Sequence, residues 1–210
     1  MLRGIYAISD KDLTPKDKLE KSLQAAIKGG IKLFQLRDKK SNEEEIAELC
    51  YKLEPLCKDS NVIFVLNDRI ELAITLNVQA LHIGKKEDGT LYSLEELRQI
   101  RSHYNGILGV SCYGSLELAK VAKEVGVDYV AFGTCFPSLI KPQAKRIDLS
   151  LFESFNATPY SLPACAIGGI NAKNVAQLKH AQMIACISNI WQGDIVQNIQ
   201  NLAKNWQPIV

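Results

Sequence analysis

Basic side chains follow two of the short apolar segments that recur along this 210-residue sequence. Arg37 and Lys39 come directly after the apolar run 31–36, and Lys141 lies in the segment that follows the run 128–132. Three cations brought to one place could neutralise a polyanionic leaving group such as diphosphate. A single lysine at such a position is usually only a solvated side chain, so this chemistry requires a fold that gathers all three.

Acidic side chains follow two neighbouring apolar runs. Asp68 comes after the most apolar of them, and Glu87 and Asp88 come after the next one. In proteins, Mg²⁺ prefers carboxylates together with substrate phosphate oxygens and retained water molecules. These residues therefore predict a magnesium site. The alternative is that Asn67-Asp68 forms only an Asx turn or a helix cap.

A glycine turn near the C-terminus could bind a phosphate group. Gly168 and Gly169 follow the seventh apolar run, Asn171 stands where a helix would begin, and Ser188 follows the eighth run. Backbone N–H groups at a helix N-terminus bind phosphates. In an eight-stranded barrel, the loops after strands 7 and 8 are the usual phosphate site. Most Gly-Gly turns elsewhere merely end a strand, so the position of this pair in the fold decides between the two interpretations.

Eight apolar segments, continuous rather than alternating and rich in β-branched residues, predict strands that are covered on both faces. They are 4–9, 31–36, 62–66, 79–83, 107–111, 128–132, 163–167 and 183–187. Helical patterns separate them, at 15–29, 69–76, 94–102, 116–125, 148–156, 172–180 and 193–205, with a further helix after a capping box of Ser41 and Glu44. This alternation predicts an α/β fold, a single-domain (β/α)8 TIM barrel over residues 1–210, with a doubly wound open sheet as the alternative.

Composition and charge exclude several classes of protein. Apolar residues make up 47% of the chain and charged residues 23%, as in ordinary globular proteins. The net charge of +2 lends no support to a nucleic-acid partner. The sequence contains no apolar run of the roughly 18 residues that a membrane helix needs, and its N-terminus lacks a signal-peptide pattern, so we expect a cytoplasmic protein. Six scattered cysteines predict small buried thiols rather than a zinc site.

Seven segments carry, in chain order, the motifs of a known family. They are Tyr6-Ala7-Ile8-Ser9-Asp10, the run from Gly30 to Lys39 with Gln35-Leu36-Arg37, Asn67-Asp68, Leu81-His82-Ile83-Gly84, Gly109-Val110-Ser111, the run from Asp128 to Gly133 followed by Phe136-Pro137-Ser138 and Lys141, and Ala166-Ile167-Gly168-Gly169-Ile170. Together they resemble the thiamin-phosphate synthase (thiamine-phosphate pyrophosphorylase) family. The resemblance extends from Tyr6 to about Ile190, which is nearly the whole chain.

This resemblance implies a (β/α)8 barrel and a defined reaction. It implies a transferase that joins hydroxymethylpyrimidine diphosphate to hydroxyethylthiazole phosphate and releases diphosphate and thiamin phosphate. It further implies Mg²⁺ as cofactor and a dissociative alkyl transfer through a pyrimidine-stabilised carbocation, which positioning and electrostatics would support. The partners it implies are these small molecules and, by family habit, further copies of the chain in a small homo-oligomer.

The resemblance also assigns roles to residues of this sequence. The residues expected to hold the pyrimidine diphosphate are Gln35, Arg37, Lys39, Asn67 and Lys141, with Ser111 and Ser138 as further hydroxyl groups. Those expected to hold the thiazole phosphate are Gly168, Gly169, Ile187 and Ser188. Arg37, Lys39, Ser111 and Lys141 form the expected catalytic set. Asp68 would be one Mg²⁺ ligand, and the second would be Asp88, or Glu87 if the motif aligns without a gap.

Several residues depart from the family motifs. Ile140 replaces a threonine, which removes one hydroxyl group, and Lys85 replaces a glutamine next to the expected metal site. The lead-in to the last strand, 180–183, is shortened. His82 lies inside a predicted strand and is expected to be a structural histidine. Three alternatives stay open: a thiazole tautomerase paralogue, a non-catalytic barrel that binds thiamin phosphate, and a phosphate-sugar isomerase barrel.

Overall fold

The computed structural model of the chain describes residues 2–137 and 145–209. Eight parallel strands close into a barrel in sequence order, because the first strand pairs with both the second and the eighth. The strands are β1 (Gly4–Ile8), β2 (Leu33–Leu36), β3 (Ile63–Asn67), β4 (Ala80–Ile83), β5 (Ile107–Tyr113), β6 (Tyr129–Gly133), β7 (Ala164–Ile167) and β8 (Met183–Cys186). The predicted (β/α)8 barrel is confirmed, and the open sheet is excluded.

Helices on the outside connect the strands up to β7, a 3₁₀ turn connects β7 to β8, and two helices follow β8. The helices are α1 (Lys16–Gly29), α2 (Glu43–Asp59), α3 (Ile70–Leu76), α4 (Leu94–His103), α5 (Leu116–Val125), α6 (Ser150–Asn156), the short α7 (Ser188–Trp191) and α8 (Ile195–Asn205). A capping box of Ser93 and Glu96 begins α4. The box predicted for Ser41 and Glu44 is wrong by one residue.

The start of α2 shows the reason for that shift. Asn42 and Glu45 form the capping box, with the Asn42 side chain accepting from the Glu45 N–H and the Glu45 side chain accepting from the Asn42 N–H. The Ser41 hydroxyl instead donates to Asp38 Oδ2 at 2.6 Å. Ser41 thus supports the loop after β2, and the neighbouring asparagine is free to cap the helix.

The helix predicted over 172–180 is also wrong. Only a 3₁₀ turn, Val175–Gln177, forms in this segment. The Asn171 side chain accepts from the Lys173 N–H, and the Asn174 side chain accepts from the Asn171 N–H and donates to the Gly169 carbonyl. Two asparagines that bond the nearby backbone compete with helical hydrogen bonds and hold the segment as a turn.

Apolar side chains pack on both faces of the barrel strands. The larger layer lies between the strands and the outer helices, and a smaller cluster, which includes Tyr6, Leu33, Val65 and Tyr129, fills the barrel interior. All six cysteines are buried and free of disulfides, as the sequence predicts. Within residues 2–137 and 145–209, none of the helices combines the length and apolar character needed to span a membrane. The cluster inside the barrel forms the floor beneath the carboxyl ends of the strands.

Candidate active site

A cavity of about 1340 Å³ opens at the carboxyl ends of the strands. Ten of the residues predicted for the site line it: Gln35, Arg37, Lys39, Asn67, Asp68, Ser111, Gly168, Gly169, Ile187 and Ser188. The barrel gathers these side chains because every parallel strand ends on the same face. Ser138, Ile140 and Lys141 lie outside the described residues. Glu87 and Asp88 lie elsewhere, in the turn between β4 and α4.

Asp68, the predicted metal ligand after β3, lines this cavity. Its Oδ1 atom accepts from the Gly84 N–H at 2.9 Å, and its Oδ2 atom lies 3.4 Å from Lys39 Nζ. The residue has a φ of 59°, in the left-handed region that aspartate tolerates better than most residues. This backbone conformation directly after β3 turns the carboxylate toward the loops of β2 and β4. A predicted cation and a predicted metal ligand are thereby in contact.

The loop after β2 holds Arg37 and Lys39 in place. The Arg37 N–H donates to Ser9 Oγ at 2.8 Å, and Ser9 is buried beneath the loop. On the far side of Arg37, Asp38 accepts from the Lys40 and Ser41 N–H groups. These bonds fix the backbone on either side of the two basic residues, whose side chains line the cavity.

The turn after β4 carries Glu87 and Asp88, the two candidates for the second metal ligand. Asp88 Oδ1 accepts from the Thr90 N–H at 2.8 Å and from Thr90 Oγ1 at 2.6 Å, and these bonds hold the pKa of Asp88 below its usual value. Lys86 bonds Glu96 at 2.5 Å, which lowers the pKa of Glu96 to about 2. Lys85 Nζ lies 5.4 Å from the centre of the Tyr113 ring. Of these two lysines, Lys86 forms an ion pair with Glu96, and Lys85 contacts the aromatic ring of Tyr113.

The glycine turn after β7 approaches the loop after β6 closely. Gly169 has a φ of 63°, and a Cβ atom there would lie 2.2 Å from the Pro137 carbonyl oxygen and 2.7 Å from the Phe136 carbonyl oxygen. The Phe136 N–H donates to the Gly168 carbonyl at 3.0 Å. A residue with a side chain would force these two loops apart. The backbone of the turn remains exposed to the cavity, as a phosphate site requires.

A chain of hydrogen bonds runs beneath the cavity, and sequence reasoning missed it. Gln35 bonds Tyr6, Tyr6 bonds Tyr129, Tyr129 bonds His82, and His82 bonds Ser111. Both tyrosines lie within apolar strands, where the sequence reads as core. Their membership in the quoted motifs was the only signal that could have marked them.

Tyr113 is a further cavity residue that the sequence does not single out. It ends β5 with a φ of 57° and lines the cavity beside Gly84. Burial raises the pKa of Tyr113 to about 12, and the negative charge of Asp68 adds to the effect. The ring is therefore a neutral wall of the cavity next to the predicted metal ligand.

Residues 5–190 match the family model described as thiamine monophosphate synthase. The chain belongs to the thiamine monophosphate synthase family. The chain is 43% identical over 211 residues to a protein of Wolinella succinogenes named thiamine-phosphate synthase, which covers 98% of this chain and 95% of that protein. A protein of the same name from Thioalkalivibrio sulfidiphilus is 35% identical over 192 residues, which is 90% of this chain and 88% of that protein.

Solved structures agree with the family assignment. The thiamine phosphate pyrophosphorylase of Pyrococcus furiosus superposes with a TM-score of 0.82 at 27% identity, over 96% of this chain and 94% of that one. A 3-keto-L-gulonate-6-phosphate decarboxylase of Vibrio cholerae superposes at 0.68 with 10% identity, over 97% of each chain, and shows the fold alone. The resemblance seen in the motifs is confirmed: this member of the thiamine monophosphate synthase family is an enzyme, a transferase of thiamine biosynthesis.

The donor set at Asp68 fits the Mg²⁺ expected for this family. Its carboxylate offers hard oxygen atoms beside an open cavity, and Mg²⁺ takes one or two carboxylates with substrate phosphate oxygens and water. Within the described part of the chain, no three His, Cys, Asp or Glu side chains cluster as a metal site. The carboxylate of Asp68 could hold such an ion together with oxygen atoms from the substrate.

His82 gives a pH-dependent stability that can be measured. Burial lowers its pKa from 6.5 to about 4. The imidazole of His82 therefore binds a proton at a higher pH in the unfolded chain than in the folded protein. The free energy of unfolding has its full value above pH 6.5, and it falls as the pH drops toward 4 because the unfolded chain then binds the proton more tightly. Between pH 7.5 and 4.5 we expect the wild type to lose about 2 to 3 kcal/mol more unfolding free energy than His82→Gln.

Urea unfolding at both pH values measures this difference. His103→Gln is the matched control, because His103 is exposed in the last turn of α4. It keeps His82 and should therefore keep the extra loss that distinguishes the wild type from His82→Gln. Equal losses in the wild type and His82→Gln would show that His82 protonates as easily in the folded protein as in the unfolded chain.

Proposed function

We propose that this enzyme joins hydroxymethylpyrimidine diphosphate to hydroxyethylthiazole phosphate and forms thiamin phosphate and diphosphate. One observation carries the proposal: the predicted cations Arg37 and Lys39, the carboxylate of Asp68 and the glycine turn line a single cavity. The relatives from Wolinella and Thioalkalivibrio, named thiamine-phosphate synthase, support the same reaction. The cavity has room for two small substrates side by side.

The diphosphate would bind on the β2–β3 side of the cavity. Arg37 and Lys39 present positive charge there, and Asp68 lies in contact with Lys39. Mg²⁺ held by Asp68 would neutralise part of the negative charge that grows on the leaving diphosphate. Lys141 and Ser138, from the loop after β6, would complete this half of the site. Cations and hydroxyl groups fixed around a developing anion lower the barrier for its departure.

The bond changes balance without any proton transfer. The C–O bond between the pyrimidine methylene and the diphosphate breaks, and both electrons leave with the diphosphate oxygen. The carbocation that remains is stabilised by the pyrimidine ring. The thiazole nitrogen then donates its lone pair to the methylene carbon and forms the new C–N bond. The protein contributes charge neutralisation and alignment of the two rings.

The thiazole phosphate would bind on the β7–β8 side. The backbone of Gly168 and Gly169 and the residues Ile187 and Ser188 line the cavity there. Asn189 donates to the Ile170 carbonyl at 2.8 Å and ties the two loops together. This half of the site offers N–H and hydroxyl donors, which match a phosphate monoester.

The alternatives predict different site chemistry. A thiazole tautomerase needs the phosphate loop but has no use for diphosphate cations or for Mg²⁺. The contact between Lys39 and Asp68 at the cavity favours the condensation reaction. A non-catalytic barrel would bind thiamin phosphate without turnover, and a phosphate-sugar isomerase would not need Mg²⁺.

Incubation of the purified protein with both substrates tests the proposal. We expect thiamin phosphate to form with Mg²⁺ and its formation to collapse with EDTA. Aromatisation of a thiazole carboxylate phosphate would support the tautomerase instead. Tight binding of thiamin phosphate without any product would support the non-catalytic barrel. The cytoplasmic location and the homo-oligomeric state stay predictions.

The second metal ligand can be assigned by a matched pair of variants. We propose Asp88, which precedes the cavity-lining Gly89 in the turn after β4 and whose Oδ2 atom does not share the bonds from Thr90 to Oδ1. Loss of a ligand should raise the Mg²⁺ concentration for half-maximal rate about 10-fold in Asp88→Asn. Glu87→Gln should shift this concentration less than about twofold. The reverse result would assign Glu87, and no shift in either variant would leave Asp68 as the sole carboxylate ligand.

A further inference from the structure

Five side chains form a continuous hydrogen-bonded chain across the barrel interior. Gln35 Nε2 donates to the Tyr6 hydroxyl at 2.7 Å, and the two tyrosine hydroxyls of Tyr6 and Tyr129 lie 3.0 Å apart. The Tyr129 hydroxyl lies 3.0 Å from His82 Nδ1, and His82 Nε2 lies 3.0 Å from Ser111 Oγ. The chain begins and ends at side chains that line the cavity, and its middle is buried.

The amide at one end sets the direction of every bond in the chain. Because Gln35 donates to Tyr6, the single proton of the Tyr6 hydroxyl is left for Tyr129. The proton of Tyr129 is then left for His82 Nδ1, which must accept. In a neutral imidazole the other nitrogen carries the proton, so Nε2 donates to Ser111 Oγ. Both ring nitrogens face hydroxyl groups in a buried place, which favours the neutral ring.

We propose that Tyr129 and His82 are positioning residues that make Ser111 a hydrogen-bond donor toward the bound diphosphate. The oxygen of Ser111 accepts from His82, so its own proton is free for an anionic oxygen in the cavity. If the hydrogen bonds of the chain ran the other way, the Ser111 hydroxyl would donate its proton to His82 Nε2. Ser111 would then present only lone pairs to the anion. This inference rests on the proposed function, which places a diphosphate in this half of the cavity.

The packing of the barrel interior is built around this chain. A Cβ atom at Gly109 would lie 2.0 Å from the Tyr129 ring, so the glycine makes room for it. The Tyr129 ring stacks on His82 with centroids 5.5 Å apart and meets the Tyr6 ring edge-on at 6.2 Å. These contacts fix both ring orientations, so the hydroxyl and the imidazole nitrogen stay within bonding distance.

The tautomer of His82 tests the direction of the chain without any assay of turnover. Nitrogen NMR of the wild type with labelled histidine should show the proton on Nε2. Tyr129→Phe removes the donor to Nδ1, so both tautomers should become populated. Tyr104→Phe is the matched control: Tyr104 is buried too, but its hydroxyl donates to the Val78 carbonyl, away from the chain. That variant should keep the wild-type tautomer.

Binding of inorganic diphosphate with Mg²⁺, measured by calorimetry, tests the consequence for Ser111. We expect Tyr129→Phe to weaken this binding about 10-fold and Tyr104→Phe to leave it unchanged. A wild-type proton on Nδ1 would overturn the proposal, and that result does not depend on whether Tyr129→Phe folds. Unchanged diphosphate affinity in a folded Tyr129→Phe would also overturn it. If the wild type binds diphosphate and shows the expected tautomer but forms no thiamin phosphate, the proposed reaction fails while this inference stands.

Discussion

Replacing Asp68 with asparagine is expected to lower kcat/KM for thiamin phosphate formation by roughly 100- to 1000-fold. One oxygen of this carboxylate accepts from the Gly84 N–H, and the other faces Lys39 and the open cavity. Asparagine keeps the size of the side chain but loses its charge. The variant therefore loses both the proposed metal ligand and the ionic partner of Lys39, at the place where the proposed reaction would develop charge on the leaving diphosphate.

Steady-state kinetics at several Mg²⁺ concentrations measure this effect. Asp194→Asn is a suitable control, because Asp194 caps α8 by accepting from the Gln197 N–H and asparagine caps helices equally well. The control should retain wild-type kinetics. An Asp68→Asn variant within about fivefold of the wild type, with the same Mg²⁺ requirement, would remove Asp68 from the metal site and leave it as a structural residue of the β3 loop.

Replacing Gly169 with alanine is expected to raise the KM for the thiazole phosphate about 100-fold. The added Cβ atom would lie 2.2 Å from the Pro137 carbonyl oxygen and 2.7 Å from that of Phe136. Both are backbone atoms, so the loops after β6 and β7 must move apart. Movement of this turn displaces the N–H groups that would hold the phosphate, while Arg37, Lys39 and Asp68 lie after β2 and β3, away from the clash.

The matched control separates this displacement from backbone strain. Gly126 has a φ of 83° at the end of α5, and a Cβ atom there would meet nothing within 4 Å. Gly126→Ala should cost about 1 to 2 kcal/mol of unfolding free energy from its left-handed backbone, with unchanged KM values. A wild-type KM in Gly169→Ala, measured with saturating pyrimidine diphosphate, would place the thiazole phosphate elsewhere.

The barrel could be predicted because its strands are short, continuous apolar runs between helical patterns. The prediction of the first residue of α2 was wrong, because two neighbouring residues of similar type can both cap the helix. Ser41 and Asn42 can both cap a helix, and each has a glutamate three residues later, so only the hydrogen bond from Ser41 to Asp38 decides between them. The turn over 172–180 depends likewise on asparagine side chains that bond the backbone.

The charged half of the site was predictable from its place after the strands. Arg37, Lys39 and Asp68 follow apolar runs, and the carboxyl ends of barrel strands meet at one face. The chain through Tyr6 and Tyr129 was not predictable, since a tyrosine in an apolar run is ordinarily core. Which hydroxyl meets which nitrogen depends on strand register and on the space at Gly109, neither of which shows in the sequence.

The most direct test of the central claim is to measure thiamin phosphate and diphosphate together in one reaction of the wild-type protein. We predict that both products appear in equal amounts, only when both substrates and Mg²⁺ are present. Diphosphate released from the pyrimidine substrate alone, at the same rate and with no thiamin phosphate, would contradict the claim that this cavity holds both substrates and joins them. A complete lack of either product under these conditions would contradict it as well.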